Sequence, residues 1–198
     1  DTESVLPQHV DGAVPLLRGE SLVDMESQHC VVVGLQTYRL FKPPFMSEGD
    51  ALQHTSKWIR QVAPLSDDVS VNPMNIQKRT IVERLFRNRE YRPPWLWSLV
   101  EMLEQVHEDV SRAGARIIVH PTAGGRIRGA HNCGACDMDI VAAIERYSVS
   151  ADIGEFAGLD CDCKRVWRTE VDNDLSLPTP LGTGVDRRGL SVDLARAP

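Results

Sequence analysis

The sequence predicts an α/β fold built on a parallel sheet. Two observations carry this. Three short runs, residues 37–41, 69–72 and 115–119, are rich in β-branched, apolar or aromatic side chains and read as strands. Stretches with helical spacing of apolar residues alternate with them. Strand and helix in turn at this spacing means βα units, and so either part of a (βα) barrel or an open wound sheet. In both architectures chemistry sits at the carboxyl ends of the strands. Here those ends are Lys42-Pro43-Pro44, Asn72-Pro73-Met74-Asn75 and His120-Pro121.

Taken in order, residues 1–18 carry two prolines and no period, and no element is assigned to them. Ser21 and Asp24 resemble a capping box that opens a short helix. Cys30, beside three valines, reads as a small buried hydrophobe. Gly34 then punctuates the chain, residues 37–41 form a strand, and Pro43-Pro44 ends it. Ser47 and Asp50 start the next helix, with Leu52, Ile59, Val62 and Ala63 on one face. The strand at 69–72 stops at Pro73. Thr80 and Glu83 form a T-x-x-E capping box ahead of Val82, Leu85 and Phe86.

Tyr91-Arg92-Pro93-Pro94 is a hard break, and Pro94 suits the first turn of the following helix. Leu96, Leu99, Val100, Leu103, Val106 and Val110 mark a long amphipathic helix ending near Gly114. Residues 115–119 are a strand, Gly124-Gly125 a loop, and residues 138–147 a helix. The last twenty or so residues show no periodicity and are expected to be loosely ordered.

With 198 residues and 42% hydrophobic side chains, the chain is long enough to bury a core and is not broadly disordered. No run of eighteen apolar residues occurs, and no basic-then-apolar leader opens the chain. The expectation is a cytoplasmic protein with no membrane partner. The chain starts at Asp1 rather than Met, as expected of a piece of a longer protein.

The strongest motif is a pair of cysteine pairs. Cys133 and Cys136 lie in HNCGACD, Cys161 and Cys163 in LDCDCK, and twenty-four residues separate the pairs. Thiolates are soft donors, and four of them complete a tetrahedral metal site. Gly134 permits the tight turn that lets a C-x2-C reach one ion; C-x-C chelation is rarer. Zinc is the first choice, and an iron–sulfur cluster remains open on the ligand set. His131 could replace one thiolate. Reduced structural cysteines, or a redox pair at Cys133 and Cys136, are the other readings.

Charge is uneven. The net charge is −6, yet residues 76–92 hold Lys78, Arg79, Arg84, Arg87, Arg89 and Arg92 against Glu83 and Glu90. A helix from 80 to 92 would present either a solvated charged face or a phosphate-tracking surface for nucleic acid, with Arg84, Arg87 and Arg89 as contacts. Trp95 and Trp97 point to different helix faces, one to the core and the other free to stack on a base or partner. Lys42 at a strand end could meet a carboxylate or phosphate, or simply snorkel at the surface. Asn72, Asn75 and Gln77 suit recognition of adenine or ribose edges, or form ordinary turns.

The runs FKPPFMSEGDAL and SVNPMNIQKRTIVERLFRNREYRPPWLWSLVEML, then HNCGACD with a later DCDC, resemble the archaeal radical SAM enzymes of archaeosine biosynthesis. Those are related to the wider group containing the Elongator catalytic subunit. There, a Pro-containing strand end, a T-x-x-x-x-L-F/W helix and a Y-x-P follow one another, as Asn72-Pro73, Thr80 to Phe86 and Tyr91-Arg92-Pro93 do here. The resemblance spans roughly residues 34 to 167.

It implies the second half of a radical SAM-like (βα) barrel over residues 1–92. A small Cys-rich α+β domain with the paired-cysteine site would follow over 93–175, with a loose tail at 176–198. It also implies S-adenosylmethionine cleaved reductively at a [4Fe–4S] cluster, and a radical acting on a lysine-bearing deazaguanine in the tRNA D-arm. Carbon–nitrogen cleavage there leaves archaeosine. Asn72, Met74 and Gln77 would line the cofactor side and Lys42 would sit near the substrate. tRNA and a partner archaeosine synthase subunit are the implied partners.

One departure matters. The cluster of such enzymes is bound by C-x3-C-x2-C, and no such motif occurs here. Cys133, Cys136, Cys161 and Cys163 have other spacings and follow the barrel portion. The expectation is therefore a truncated or split chain whose four cysteines pin the carboxyl-terminal domain. A metal-stabilised tRNA-binding or scaffold protein without catalysis is the alternative.

Overall fold

The computed structural model describes residues 34–174. The helix start at Ser21, Cys30 and the 176–198 tail lie outside the described residues. The elements are β1 (Gln36–Phe41), α1 (Glu48–Val62), β2 (Asp68–Pro73), α2 (Ile81–Arg87), α3 (Leu96–Ala113), β3 (Arg116–Val119), α4 (Asp137–Ser150) and α5 (Cys163–Asp174). Short 3-10 turns occur at Ala63–Leu65 and Ile153–Phe156. Among the described residues the strands form one parallel sheet in the order β1-β2-β3, in register from Gln36↔Asp68 to Phe41↔Pro73 and from Asp68↔Arg116 to Val71↔Val119.

The alternation of side chains along each strand decides how the sheet is covered. Phe41, Val69, Val71, Ile117 and Val119 point one way and are buried in one core with apolar residues of α1, α3, α4 and α5. Tyr38, Leu40, Ser70, Asn72 and Ile118 point the other way, and Tyr38 stays 65% exposed. The core runs without a break from Phe41 to Val171, across residues 92 and 93. A smaller cluster of Ile76, Leu85 and Tyr91, with Met74, Val82 and Phe86 against it, sits beneath α2.

Helix ends follow the sequence signals closely. Ser47 accepts from Asp50 N at 3.0 Å and starts α1. Gly114 closes α3 in the left-handed conformation (φ 72°), which glycine adopts without a Cβ clash. α3 departs from expectation at its start. Pro94 precedes the helix rather than opening it, and Trp95 is the N-cap without a side-chain cap bond. α5 is an element the sequence does not announce: its buried stripe is Cys163, Trp167 and Val171, spaced by four.

The basic helix is shorter than the 80–92 span expected. It covers Ile81–Arg87, with Asn88 as C-cap and Arg89 left-handed (φ 62°) beyond it. Its N-terminal box forms. Thr80 Oγ1 accepts from Glu83 N at 3.2 Å, and Glu83 Oε2 accepts from Arg79 N at 2.6 Å. The Glu83 carboxylate also binds Arg128 at 2.8 Å and Arg87 at 3.2 Å.

The Arg79 backbone N–H, then the Arg128 side chain, hold the Glu83 carboxyl down from 4.5 to about 2, against the opposing push of burial. A folded-state value below the unfolded one stabilises the fold above the unfolded value. That stabilisation is lost as pH falls through the folded one. Glu83→Gln is therefore expected to lower the urea midpoint at pH 7, with the gap to wild type closing between about pH 4.5 and about pH 2. A gap that does not change with pH would show that the charge of Glu83 is not what stabilises the turn.

Candidate metal centre

The C-x2-C turn forms the entry to α4. Gly134 is left-handed (φ 95°), and Cys136 is the residue before the helix. Asp137, in the first turn and 1% exposed, accepts through Oδ1 from Asn132 N at 3.1 Å and Gly134 N at 2.9 Å. These bonds fix the turn. The C-x-C half leads into α5, where Cys161 O accepts from Lys164 N at 2.8 Å.

The four sulfurs converge from these two directions. Cys133 and Cys161 lie 3.7 Å apart, Cys136 and Cys163 3.6 Å, and Cys133 and Cys136 3.9 Å. All four lie within 4.8 Å of one another. A tetrahedral ion with Zn–S bonds of about 2.3 Å sets its sulfurs about 3.8 Å apart, from the geometry of the tetrahedron. The observed separations sit at that value and are far too long for S–S bonds, so the four cysteines are free thiols. The residues therefore fit a single metal ion. A four-iron cluster puts each thiolate on a different iron and spreads the sulfurs wider.

The site has a dry and a wet side. Cys136 and Cys163 are 8% and 9% exposed, whereas Cys133 is exposed. Burial pushes the Cys136 thiol up to about 11 and raises Cys163 further. Burial also pushes Cys133 up, but the backbone N–H groups of Ala135 and Cys136, with the Cys163 and Cys161 thiols, outweigh it and bring it to about 7.

Among the described residues, side-chain N–H donors reach the buried pair, whereas Cys133 is served by backbone N–H groups. Trp97 Nε1 donates to Cys163 Sγ at 3.3 Å, and Asn132 Nδ2 to Cys136 Sγ at 3.5 Å. Such outer bonds orient and stabilise thiolate ligands. Asn132 does double duty: its Oδ1 accepts from Leu96 N at 2.9 Å and Trp97 N at 3.3 Å, supplying the cap that Trp95 lacks. The centre is thereby joined to the start of α3.

That helix start is joined equally to the end of β1. Glu48, wholly buried, accepts through Oε1 from Trp95 N at 2.8 Å and Ser98 Oγ at 2.6 Å. Its other oxygen forms an ion pair with Lys42 Nζ. Trp167 Nε1 of α5 donates to Ser98 Oγ at 2.8 Å. Tyr91 OH donates to Lys42 O at 2.7 Å and holds that residue's left-handed turn (φ 52°). Burial first, then the Glu48 carboxylate, keep the Tyr91 phenol well above its usual range, so it remains a donor. One polar network thus runs from Lys42 through Glu48 and Ser98 to the helix that carries Cys163.

The expected site residues fall in three places. The four cysteines come together, and His131 is not among them. Its Nδ1 pairs with Gly129 O at 2.8 Å, inside the protein. Lys42 is 4% exposed and paired, so it does not snorkel. Asn72 lies on the open sheet face and donates to Ser70 Oγ at 3.1 Å. Met74 packs on the Ile76 cluster, and the exposed Gln77 bonds Asn75. Asn72, Met74 and Gln77 thus have different surroundings.

Arg84 and Arg89 are exposed, whereas Arg87 is exposed but paired with Glu83. Trp95 and Trp97 are both buried, at 5% and 1% exposure, so neither is free to stack on a base. Trp95 lies under the Arg92 guanidinium at 3.9 Å, and Arg92 is itself buried. Sequence reasoning missed Glu48, Ser98, Asn132, Asp137 and Trp167. Only Asn132 and Asp137 carried a signal, in flanking the C-x2-C.

Among known proteins, the chain is 33% identical over 150 residues to archaeosine synthase subunit beta of Methanosarcina acetivorans, covering 75% of this chain and 43% of that protein. It is 36% identical over 168 residues to archaeosine synthase subunit beta of Thermococcus kodakarensis, covering 82% of this chain and 51% of that protein. It is 30% identical over 154 residues to an uncharacterized protein of Methanocaldococcus jannaschii, covering 76% and 41% respectively. The chain spans about half the length of the curated relatives it matches. No protein-family model and no solved structure matches it.

Proposed function

We propose that this chain is the second-half portion of a tRNA-modifying enzyme of archaeosine formation. The observation that carries the reading is its likeness, over most of its length, to two proteins named archaeosine synthase subunit beta. Because those are subunits, a partner subunit and tRNA are the partners we infer.

On this reading β1 and β2 belong to a radical SAM-like (βα) barrel over residues 1–92, and β3 (Arg116–Val119) extends its sheet from within the cysteine domain over 93–175. Three parallel strands in sequential order, with helices packed on one face, support it. The face carrying Tyr38, Leu40, Asn72 and Ile118 would look into the barrel. Asn72, Met74 and Gln77 would lie on the cofactor side. Lys42 would shape the substrate side through its turn, since Glu48 neutralises its ammonium group.

The [4Fe–4S] cluster of such enzymes does not fit the residues of this chain. No C-x3-C-x2-C occurs, and the four thiols surround a single point. No radical step is assigned to them. Zinc fits them best: four thiolates close its coordination and leave no position for substrate. It would tie the entry of α4 to the entry of α5. Arg84 and Arg89, with Arg87 behind them, would meet tRNA phosphates. What these residues contribute is RNA binding, a fixed strand end and a water-excluding wall.

The test is genetic. Disrupting the gene for this chain in its source organism should remove archaeosine from bulk tRNA nucleosides, read by mass spectrometry, and let its deazaguanine precursor accumulate. Archaeosine at the wild-type level would overturn the assignment.

A further inference from the structure

The loop after β3 is built unlike an ordinary connection. Between His120 and Ala130 its backbone closes on itself. Gly124 N donates to Pro121 O at 2.6 Å, Arg126 N to Ala123 O at 3.1 Å, Gly129 N to Arg126 O at 2.9 Å, and Gly125 N to Ala130 O at 2.8 Å. Gly129 is required here, because a Cβ on it would lie 2.2 Å from Ala123 O. The loop is a rigid platform, and the side chains at its tip are Arg126 and Ile127, both exposed.

That platform is fastened to the basic segment. Ile76 N donates to Arg128 O at 2.8 Å, Arg128 Nε donates to Ile76 O at 3.1 Å, and Arg128 Nη2 binds Glu83 at 2.8 Å. Glu83, with its partners Arg128 and Arg87, is thereby consumed within the joint. The cations left at this surface are Lys78, Arg79, Arg84, Arg89 and Arg126. All five are exposed, and none forms an ion pair with a described residue. Arg79 and Arg89, the residues on either side of the Thr80–Asn88 cap positions, both have left-handed backbones (φ 62°). Ile81 and Ile127, 64% and 55% exposed, add apolar surface to the same joined unit.

We propose that the loop 120–128 and the segment 78–89 form one surface for an RNA sugar–phosphate backbone, with Arg126 supplying a phosphate contact from the loop. The proposal rests on the tRNA reading above and extends it to a second chain segment, placed by the Arg128–Glu83 joint. The chemistry suits RNA. Four of the five cations are guanidinium groups, which bind phosphate oxygens two at a time. The apolar isoleucines offer contact to ribose and base faces. The Glu83 carboxylate, which would repel phosphate, is paired with Arg128 and Arg87 within the joint, which leaves Glu90 and Glu145 as the carboxylates near this surface. The rigid loop loses little freedom when it binds, which favours a fixed spacing between contacts.

The experiment measures affinity of the full chain for an unmodified tRNA transcript across a salt series. Arg126→Ala should weaken binding several-fold and lower the slope of log affinity against log salt by roughly one. Arg126→Lys should restore much of both. Arg112→Ala, at the far end of α3, is the charge control and should leave the slope unchanged. If Arg126→Ala binds like wild type while Arg84→Ala and Arg89→Ala bind weakly, the loop contact is wrong and the tRNA reading stands. An Arg112→Ala loss as large as that of Arg126→Ala would show a general charge effect and also overturn the proposal. A wild-type chain that does not bind tRNA would overturn the tRNA reading itself.

Discussion

Serine at Cys136 is expected to abolish stoichiometric metal binding and to lower the thermal midpoint sharply. Structural four-ligand zinc sites contribute about 10–16 kcal/mol of apparent binding free energy, and that energy is folding energy. Changing the outer hydrogen bonds of such sites costs about 10–100-fold in affinity, so loss of a ligand should exceed this. The fold makes the effect large here. From Ala151 to Asp162 the chain crosses the surface, with Phe156 its only buried hydrophobic side chain. α5 then docks through Cys163, Trp167 and Val171. Without the ion, that helix keeps its apolar stripe and the Trp167–Ser98 bond but loses the cross-link to the start of α4. Serine at the exposed Cys133 should cost metal as well, with less damage to packing. A Cys136→Ser protein with wild-type metal content and midpoint would show that the thiols do not share an ion.

Lys42→Met is expected to destabilise the fold by about 3–5 kcal/mol, because it leaves the buried Glu48 carboxylate without its counter-charge. Glu48→Gln should do similar harm by stranding the Lys42 ammonium. The double change Lys42→Met/Glu48→Gln should cost less than the two single changes added together. It removes both charges, and the amide oxygen introduced at position 48 can still accept from Trp95 N and Ser98 Oγ. Chemical denaturation of the four proteins gives the coupling energy directly. Strict additivity would mean that the two residues act independently, and the network from β1 to α5 would lose its central link.

Local signals foretell much of this fold. The alternation of 37–41 and 69–72 and the apolar stripe from Leu96 to Val110 are periodic enough to identify strands and helix without tertiary information. The Thr80–Glu83 box likewise needs only local chemistry. The four cysteines are legible because close thiol pairs have few other uses in a chain of this kind.

The rest depends on tertiary proximity. Lys42 and Glu48 lie six positions apart and read as a surface lysine and an ordinary acidic first turn. They become a buried pair only because the start of α3 needs an acceptor and packs over them. Trp95 and Trp97 occupy different helix faces, and a helix with one exposed side would show one of them. This helix begins inside the protein, clamped by Glu48 and Asn132, and so buries both. α5 escapes a sequence reading because CKRVWRTEVDND has only a sparse apolar stripe, whose weight comes from Cys163, Trp167 and Val171. The basic helix is shorter than expected because Arg89 and Arg92 look helical by composition alone. The first is turned left-handed, and the second is drawn inside against Trp95.

X-ray absorption on the protein purified without oxygen tests the central claim most directly. The account predicts one zinc per chain, with four sulfur neighbours at about 2.3 Å and no metal neighbour. An iron signal with nearby iron, or a metal content far below one per chain, would contradict it.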